Sequence, residues 1–562
     1  MRPECAGKHV NVKHLKVMRY LRWFSEILRP YRGRMALMIL MHVAVTACSI
    51  AFVYISKRLV DIAVMLLQGD GSLSQLKLFS LYMALVVLFR IAFNAVRTYI
   101  QNTSEVMMKN SLRIRLFDLF LHLDHADARR HHTGDIVNRM QEDVRTVAAS
   151  VMIAVPALIG ASIQLVAAAA FFLWLDVRIA LAVIVIIPLG IIAGRFVSKR
   201  IRILTRDIRE SDAKIQSHVQ ENIQHHDLLQ AMEYLEPSVA GLSALQGDMY
   251  GKELRRTHFS IVSRICLALS FQAGQVVAFI CGAFGIAAGT VTYGMMTAFL
   301  QLVNQIQRPL IEISSRLPSL IHSLASIDRI MELEDLPLEN HAEKQLLNSP
   351  AGISVADITF TYPDSPEPVF SGFSHDFVPG SRTAVTGHTG IGKSTLMRLF
   401  MGFLRPDSGK VMLYSAKDPA LSASPATRCN LVYVPQGNSL FSGTIRDNLL
   451  MGDPDATDER LRNALETAAA DFVFALPEGM DTMCREAGAG LSEGQAQRIA
   501  IARAILRPGS ILLFDEFSSA LDAETETLLM ERLTSRLSGR TMIFITHRES
   551  IISYCDASLH LQ

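Results

Sequence analysis

Gly387-His-Thr-Gly-Ile-Gly-Lys-Ser394 stands between Ala384-Val-Thr386, which reads as the end of a buried strand, and a periodic stretch over residues 395–403. That order predicts a strand, a glycine-rich turn and a helix, the setting in which backbone amides close on a phosphate chain. Gly387, Gly390 and Gly392 carry no Cβ to block the approach, and His388, Thr389 and Ile391 complete the turn. Lys393 supplies a cation and Ser394 a hydroxyl for magnesium, while Thr395 opens the helix whose N-terminal dipole favours an anion. The stretch predicts an α/β nucleotide-binding domain.

Further signals follow in a fixed order. Gln436 comes after the apolar Leu431-Val-Tyr-Val-Pro435, and Leu491-Ser-Glu-Gly-Gln495 opens a periodic helix that places another N-terminus where an anion can sit. Ile511-Leu-Leu-Phe-Asp-Glu516 reads as a buried strand delivering two carboxylates: Asp515 suits magnesium, and Glu516 can orient or deprotonate an attacking water. Ser519-Ala-Leu-Asp522 follows, and the strand pattern over 541–546 ends in His547. Upstream, Tyr362 lies in Phe360-Thr-Tyr-Pro363.

The ordered set resembles the ATP-binding cassette of ABC transporters. The resemblance implies that Glu516, His547 and Gln436 serve hydrolysis, that Ser394, Gln436 and Asp515 hold Mg2+, and that Ser519 and Asp522 form the D-loop. It also implies that Tyr362 stacks on adenine, with core packing of a strand aromatic as the alternative. Ser492, Glu493, Gly494 and Gln495 would complete the ATP site of a second cassette. One chain carries one such set, so a second copy or a related half-transporter chain is implied.

Two positions depart from the family pattern. Glu493 stands where a glycine is usual. A carboxylate about 6 Å from the terminal phosphate would cost roughly 3 kcal/mol at an effective dielectric near 20. The milder reading, which we favour because Ser492, Gly494 and Gln495 are kept, turns that side chain to solvent. Glu486-Ala-Gly488 replaces the family's Glu-Arg-Gly, in a segment that in the family senses the partner subunit.

At 562 residues the chain exceeds a single core, and half of its residues are apolar, with the excess in the first half. Crossing a bilayer takes about 20 helical residues. Six apolar runs of suitable length lie near 35–56, 76–96, 151–175, 179–195, 265–287 and 293–313. Lys13, Lys16, Arg19, Arg22, Arg29, Arg32 and Arg34 precede the first run, and Lys109, Arg113, Arg115, Arg129 and Arg130 follow the second. The short connections 66–75 and 287–293 contain no Lys or Arg, so the basic ends are expected to face the cytoplasm. Long inner stretches with short outer turns imply helices that continue well beyond the membrane.

The first half carries weaker family phrases. Thr133-Gly-Asp-Ile-Val-Asn-Arg139 with Glu142-Asp143 resembles the first cytoplasmic loop of ABC exporters, where a transverse helix docks on the cassette, and a second such helix is expected near 221–232. Gly289-Thr-Val-Thr-Tyr-Gly294, Arg308-Pro309 and Ala325-Ser-Ile-Asp-Arg-Ile330 are also similar to exporter phrases. Gln301, Asn304, Gln305 and Arg308 recur at i, i+3, i+4 and i+7, one helical face. With Gln272, Gln275 and Gln164 they suggest a cavity of amides with few charges, fit for an amphipathic or moderately polar cargo. The alternative is that they bond neighbouring helices.

The pairs His131-His132 and His225-His226 lack a Cys or carboxylate at ligand spacing and read as solvated loop residues, leaving ATP-bound Mg2+ as the expected metal. The seven scattered cysteines read as reduced. Neither a cleaved signal nor a fused N-terminal peptidase is expected, since the first apolar run begins near Met35.

The expected architecture is multi-domain: an all-α polytopic membrane domain of six transmembrane helices over 1–334, a linker over 335–352, and an α/β P-loop NTPase cassette over 353–562. The expected function is ATP-driven export by a dimeric ABC transporter in the cell (inner) membrane, with both termini and the cassette cytoplasmic. Alternatives are an importer on the same fold and an ATP-gated regulator or channel. The expected partners are a second half-transporter chain, as homodimer or heterodimer, the lipid bilayer and an unidentified cargo; nothing points to nucleic acid.

Overall fold

The computed structural model describes residues 18–20, 22–130, 133–339, 343–363, 365–484 and 490–562. The chain divides into a helical unit, ending at Phe117 and resuming over Ile136–Glu332, and a nucleotide unit made of Asp118–Asp135 with Leu333–Gln562. His131, His132 and the Glu486-Ala-Gly488 departure lie outside the described residues.

Six long helices build the first unit: α1 (Arg32–Leu67), α2 (Leu73–Leu121), α3 (Val155–Leu175), α4 (Val177–Gln224), α5 (Leu235–Ala287) and α6 (Tyr293–Glu334). α5, with 53 residues, runs roughly 80 Å at the rise of an α-helix, far more than a bilayer core needs. Among the described residues four stretches can cross a membrane by length and composition: Met18–Leu67, Leu73–Leu121, Gly134–Leu175 and Leu235–Ala287. α6 falls outside this set because Gln301, Asn304, Gln305, Arg308 and Glu312 dilute its apolar face. Most of the expected span over 179–195 lies outside the residues with described side chains.

The exporter-like phrases of the first half acquire physical reasons. Two π-helical turns, Arg139–Asp143 and Ser150–Ala154, lead into α3, and the first buries Arg139 and Asp143. Asp143 accepts from the Arg329 guanidinium (Nε to Oδ2, 2.8 Å), and Arg139 donates to the Arg329 carbonyl (2.8 Å) and pairs with Glu332 (3.2 Å). Two phrases 186 residues apart therefore form one charged lock. At the other end of α6, Asp61 of α1 accepts from the Gly294 amide at 2.9 Å. A Cβ on Gly294 would meet the Lys57 carbonyl at 2.2 Å, so only glycine allows that approach. His225 and His226 are exposed where α4 gives way to the short helix His226–Ala231.

The nucleotide unit has strands β1 (Ala351–Phe360), β2 (Phe370–Phe377), β3 (Arg382–Thr386), β4 (Ser408–Ser415), β5 (Leu421–Ser422), β6 (Leu431–Val434), β7 (Gly443–Thr444), β8 (Met483–Cys484), β9 (Ile511–Asp515), β10 (Thr541–Ile545) and β11 (Ala557–His560). β11-β3-β10-β9-β6 form a parallel sheet, β2-β1-β4-β5 an antiparallel one, and β7-β8 a short pair. β9 and β10 are buried along their whole length, which is why both read as nearly unbroken apolar runs. The carboxyl ends of β3, β9 and β10 deliver the functional side chains together, as parallel sheets do.

The segment Asp118–Asp135 packs within this unit although its sequence neighbours belong to the helical one. The Asp124 amide donates to the Pro337 carbonyl (3.1 Å) and the Glu339 amide to the His122 carbonyl (2.8 Å). The His125 ring stacks on Phe403 with centroids 4.3 Å apart, and the Arg428 guanidinium lies 4.3 Å from the Phe403 centroid. Arg428 in turn bonds Glu339 at 2.7 Å. A helical turn, His125–Arg130, is thus fixed by stacking rather than by a broad apolar face.

Candidate nucleotide site

β3 ends in a loop over residues 387–392, followed by the helix α7 (Lys393–Phe400). Gly392 has φ of +111°, and a Cβ there would meet Val369 at 2.5 Å, so both conformation and space demand glycine. Lys393 is buried; its ammonium donates to the carbonyls of Gly387 (2.6 Å) and His388 (3.1 Å) and to Nε2 of His547 (2.9 Å). Because an ammonium only donates, Nε2 of His547 is the acceptor. Burial pushes the Lys393 ammonium below the ordinary lysine value, against the opposing pull of Glu516 and Asp515.

β9 carries Asp515, buried, and Glu516, half-buried beyond it. Burial raises the Asp515 carboxyl above the usual carboxylate range, countered by hydroxyls of Ser394 and Tyr433. Glu516 adopts the left-handed φ of +44°, held by its amide donating to the Ile545 carbonyl at 3.1 Å. Its Oε2 accepts from Gln436 Nε2 at 2.7 Å, and Oε1 lies 3.8 Å from His547 Nε2. A strained backbone that fixes a carboxylate beside an amide and an imidazole is the arrangement of a functional centre. Ser394, Asp515 and Gln436 offer a hydroxyl, a carboxylate and an amide, the hard oxygen donors that suit Mg2+. Asp515, whose burial outweighs the pull of the Arg398 guanidinium, fits that role.

Tyr362 is half-buried; its ring meets Phe360 edge-on, and its hydroxyl bonds Thr395 (3.0 Å) and accepts from Arg398 (3.2 Å). It is tied to the phosphate helix by these bonds. His388, Thr389 and Gly390 are exposed at the loop crest, and Ile391 turns back with its amide donating to the His388 carbonyl.

The signature stretch begins α8 (Glu493–Leu506), with Ser492 as its cap. The Gln495 amide donates to the Ser492 hydroxyl (3.2 Å), and the Ser492 amide to the Gln495 side chain (2.9 Å), a reciprocal capping box. Gly494 is buried against the D-loop: a Cβ there would meet the Ala520 carbonyl at 2.7 Å. Glu493 is exposed in the first turn. Asp522 caps α9 (Ala523–Arg536); the Thr525 amide bonded to it at 2.9 Å holds its carboxyl below the usual range. The Ser519 amide donates to the Glu516 carbonyl at 3.3 Å.

Two contributors escaped the sequence reading. Tyr433 donates to Asp515 at 3.3 Å, signalled only by its place on the strand before Gln436. Arg548, next to His547, donates to the carbonyls of Ser519 (3.3 Å) and Leu521 (3.2 Å) and pairs with buried Glu526 at 2.5 Å. It fixes the D-loop from below.

The proposed cavity residues separate in the helical unit. Gln275 and Asn304 bond each other (2.8 Å), and Gln305 donates to the Ser49 carbonyl (3.0 Å), so these amides join helices. Gln272 is exposed and Gln301 half-buried. Arg308 and Gln164 of the group line a cavity there.

Two family models match the chain: the ABC transporter transmembrane region over residues 35–310, and ABC transporter over 370–519. The chain is 26% identical over 548 residues to YgaD of Bacillus subtilis (strain 168), whose name proposes it as a multidrug export ATP-binding/permease protein, covering 96% of this chain and 94% of that one. It is 28% identical over 546 residues to an ATP-dependent lipid A-core flippase of Pseudomonas fluorescens, covering 94% and 90%. A solved bacterial Atm1-family ABC exporter with ATP bound shares its fold, with a TM-score of 0.78 at 24% identity over 94% of this chain and 93% of that one.

Proposed function

The chain belongs to the ABC transporter family, a transmembrane region fused to an ATP-binding cassette, and from that premise we propose that it is one half of a dimeric exporter. It is a membrane protein that hydrolyses ATP to drive transport. The observation that carries this reading is the hydrolytic set: Glu516 held by Gln436 at 2.7 Å, beside His547 and Lys393. Lys393 and the loop amides would bind the phosphates, Glu516 would take the proton of the attacking water, and His547 would hold the terminal phosphate from the end of β10. Ser394, Asp515 and Gln436 would hold Mg2+, which neutralises phosphate charge when bound.

Each chain has one cassette, so Ser492 and Gln495 are offered to the ATP of a partner, and the partner's equivalents to this one. Export is supported by the names of the relatives. The test is the full chain reconstituted in liposomes with cassettes outward and ATP outside. Net movement of an amphiphile to the lumen only with ATP is expected; movement in the reverse direction would make it an importer. Turnover with no movement would make it a regulator.

Glu493 stands at the first position of α8, where a carboxylate interacts favourably with its own helix dipole and faces solvent. Glu493→Gly is therefore expected to change ATP turnover less than about tenfold. A larger rise in phosphate release would mean that the carboxylate opposes closure on the partner's nucleotide.

A further inference from the structure

A cavity of about 870 Å³ opens between α1, α2, α3 and α6. The amide stripe suggested few charges there. Instead four guanidinium groups line it, Arg90, Arg97, Arg308 and Arg316, against one carboxylate, Glu312. Arg90 and Arg97 are seven apart on α2, and Arg308 and Arg316 eight apart on α6, so each helix presents a basic stripe.

Glu312 accepts from Arg316 at 3.3 Å and so balances one of the four. Among the described residues Arg97 bonds the His42 ring (3.2 Å) and Asn94 (2.7 Å), and its Nε is buried without a partner. Arg90 lies over the Phe52 ring, and Arg308 has no ion pair among the described residues. Four cations against one anion leave a net charge of plus three. Uncompensated guanidinium groups at membrane depth are costly and mark a polar path or a ligand.

Counted along their helices from Leu73 and Tyr293, Arg90 and Arg308 lie roughly 25 and 22 Å down, and Arg97 and Arg316 roughly 36 and 35 Å. The cluster thus straddles the far boundary of a core about 30 Å thick. That is the depth of a headgroup layer.

We propose that this cavity binds the anionic group, a phosphate or carboxylate, of the transported cargo. The planar forks of Arg90, Arg97 and Arg308 match such oxygens in pairs, and Glu312 sets how much positive charge is left over. The proposal rests on the export reading for the word cargo, but the site can be tested without transport.

The experiment is equilibrium binding to the full chain in phosphatidylcholine nanodiscs without ATP, with empty nanodiscs as control. The probes are decyl phosphate, inorganic phosphate and decyltrimethylammonium. Decyl phosphate is expected to bind at least about tenfold more tightly than the cation, and Arg308→Gln to weaken it roughly tenfold while Arg308→Lys, which keeps the charge but not the fork, restores only part of the affinity. Glu312→Gln is expected to tighten the anion about threefold, a gain that misfolding cannot imitate. Equal affinity of inorganic phosphate would assign the site to free anions and dependence on the tail to amphiphiles; either supports it. Equal binding of cation and anion, no binding of either phosphate, or unchanged anion affinity in both Arg308→Gln and Glu312→Gln would overturn it. An anion that binds but is never moved with ATP would defeat export and leave the site standing; cargo moved regardless of charge would do the opposite.

Discussion

Glu516→Gln is expected to lower phosphate release at least about 100-fold while leaving ATP affinity within about twofold. The amide keeps the size of the side chain and can still accept from Gln436, whose Nε2 lies 2.7 Å from the carboxylate, but it cannot take a proton from water. The backbone is held at φ of +44° by the bond to the Ile545 carbonyl, at a cost of roughly 1–3 kcal/mol. The conformation survives the substitution because it is fixed by the main chain. Nucleotide titration and phosphate release on one preparation, with transport in liposomes alongside, separate the outcomes. Turnover within tenfold of the parent would move the base to another residue, and transport that outlived turnover would favour gating by ATP over hydrolysis.

Lys393→Ala is expected to weaken ATP binding at least about tenfold and to cut turnover at least about 100-fold. The ammonium bonds the carbonyls of Gly387 and His388 and Nε2 of His547. Those three bonds are to be exchanged for phosphate oxygens, so the alanine variant loses both the cation that meets the phosphates and the tie that shapes the loop. Lys393→Arg should not rescue, because a planar guanidinium does not fit a buried point-charge position. The check is a nucleotide titration with a thermal melt as folding control. Affinity within about twofold of the parent would remove Lys393 from the phosphate contact.

The local parts of this architecture were legible in the sequence, and the contacts between distant residues were not. The phosphate loop, the two carboxylates and the signature helix are each carried by a few consecutive residues, and β9 and β10 by apolar runs that only a doubly covered strand requires. Tyr433 against Asp515 and Arg548 against Glu526 depend on pairings of 82 and 22 positions, which no periodicity encodes. The amide stripe on α6 was periodic and left two readings open. A polar face satisfies a neighbouring helix as readily as a cavity, and Gln275 with Asn304 shows the first use. The basic lining was overlooked because Arg90 and Arg97 sit one by one in an otherwise apolar run. The membership of Asp118–Asp135 in the nucleotide unit was hinted at only by family likeness, since it rests on contacts between distant residues: the His125 ring on Phe403 and main-chain bonds from Asp124 to Pro337 and from Glu339 to His122.

The lock between Asp143 and Arg329 has a consequence for inheritance. The Asp143 side chain is only 2% exposed, so a change that removes Arg329 alone strands a buried carboxylate, and a change that removes Asp143 alone leaves a guanidinium without its fork. Either single step is penalised, while the joint replacement by two neutral groups is not. Lineages descending from this chain are expected to alter the two positions together or not at all, and a sequence that breaks one and keeps the other should carry a compensating charge nearby.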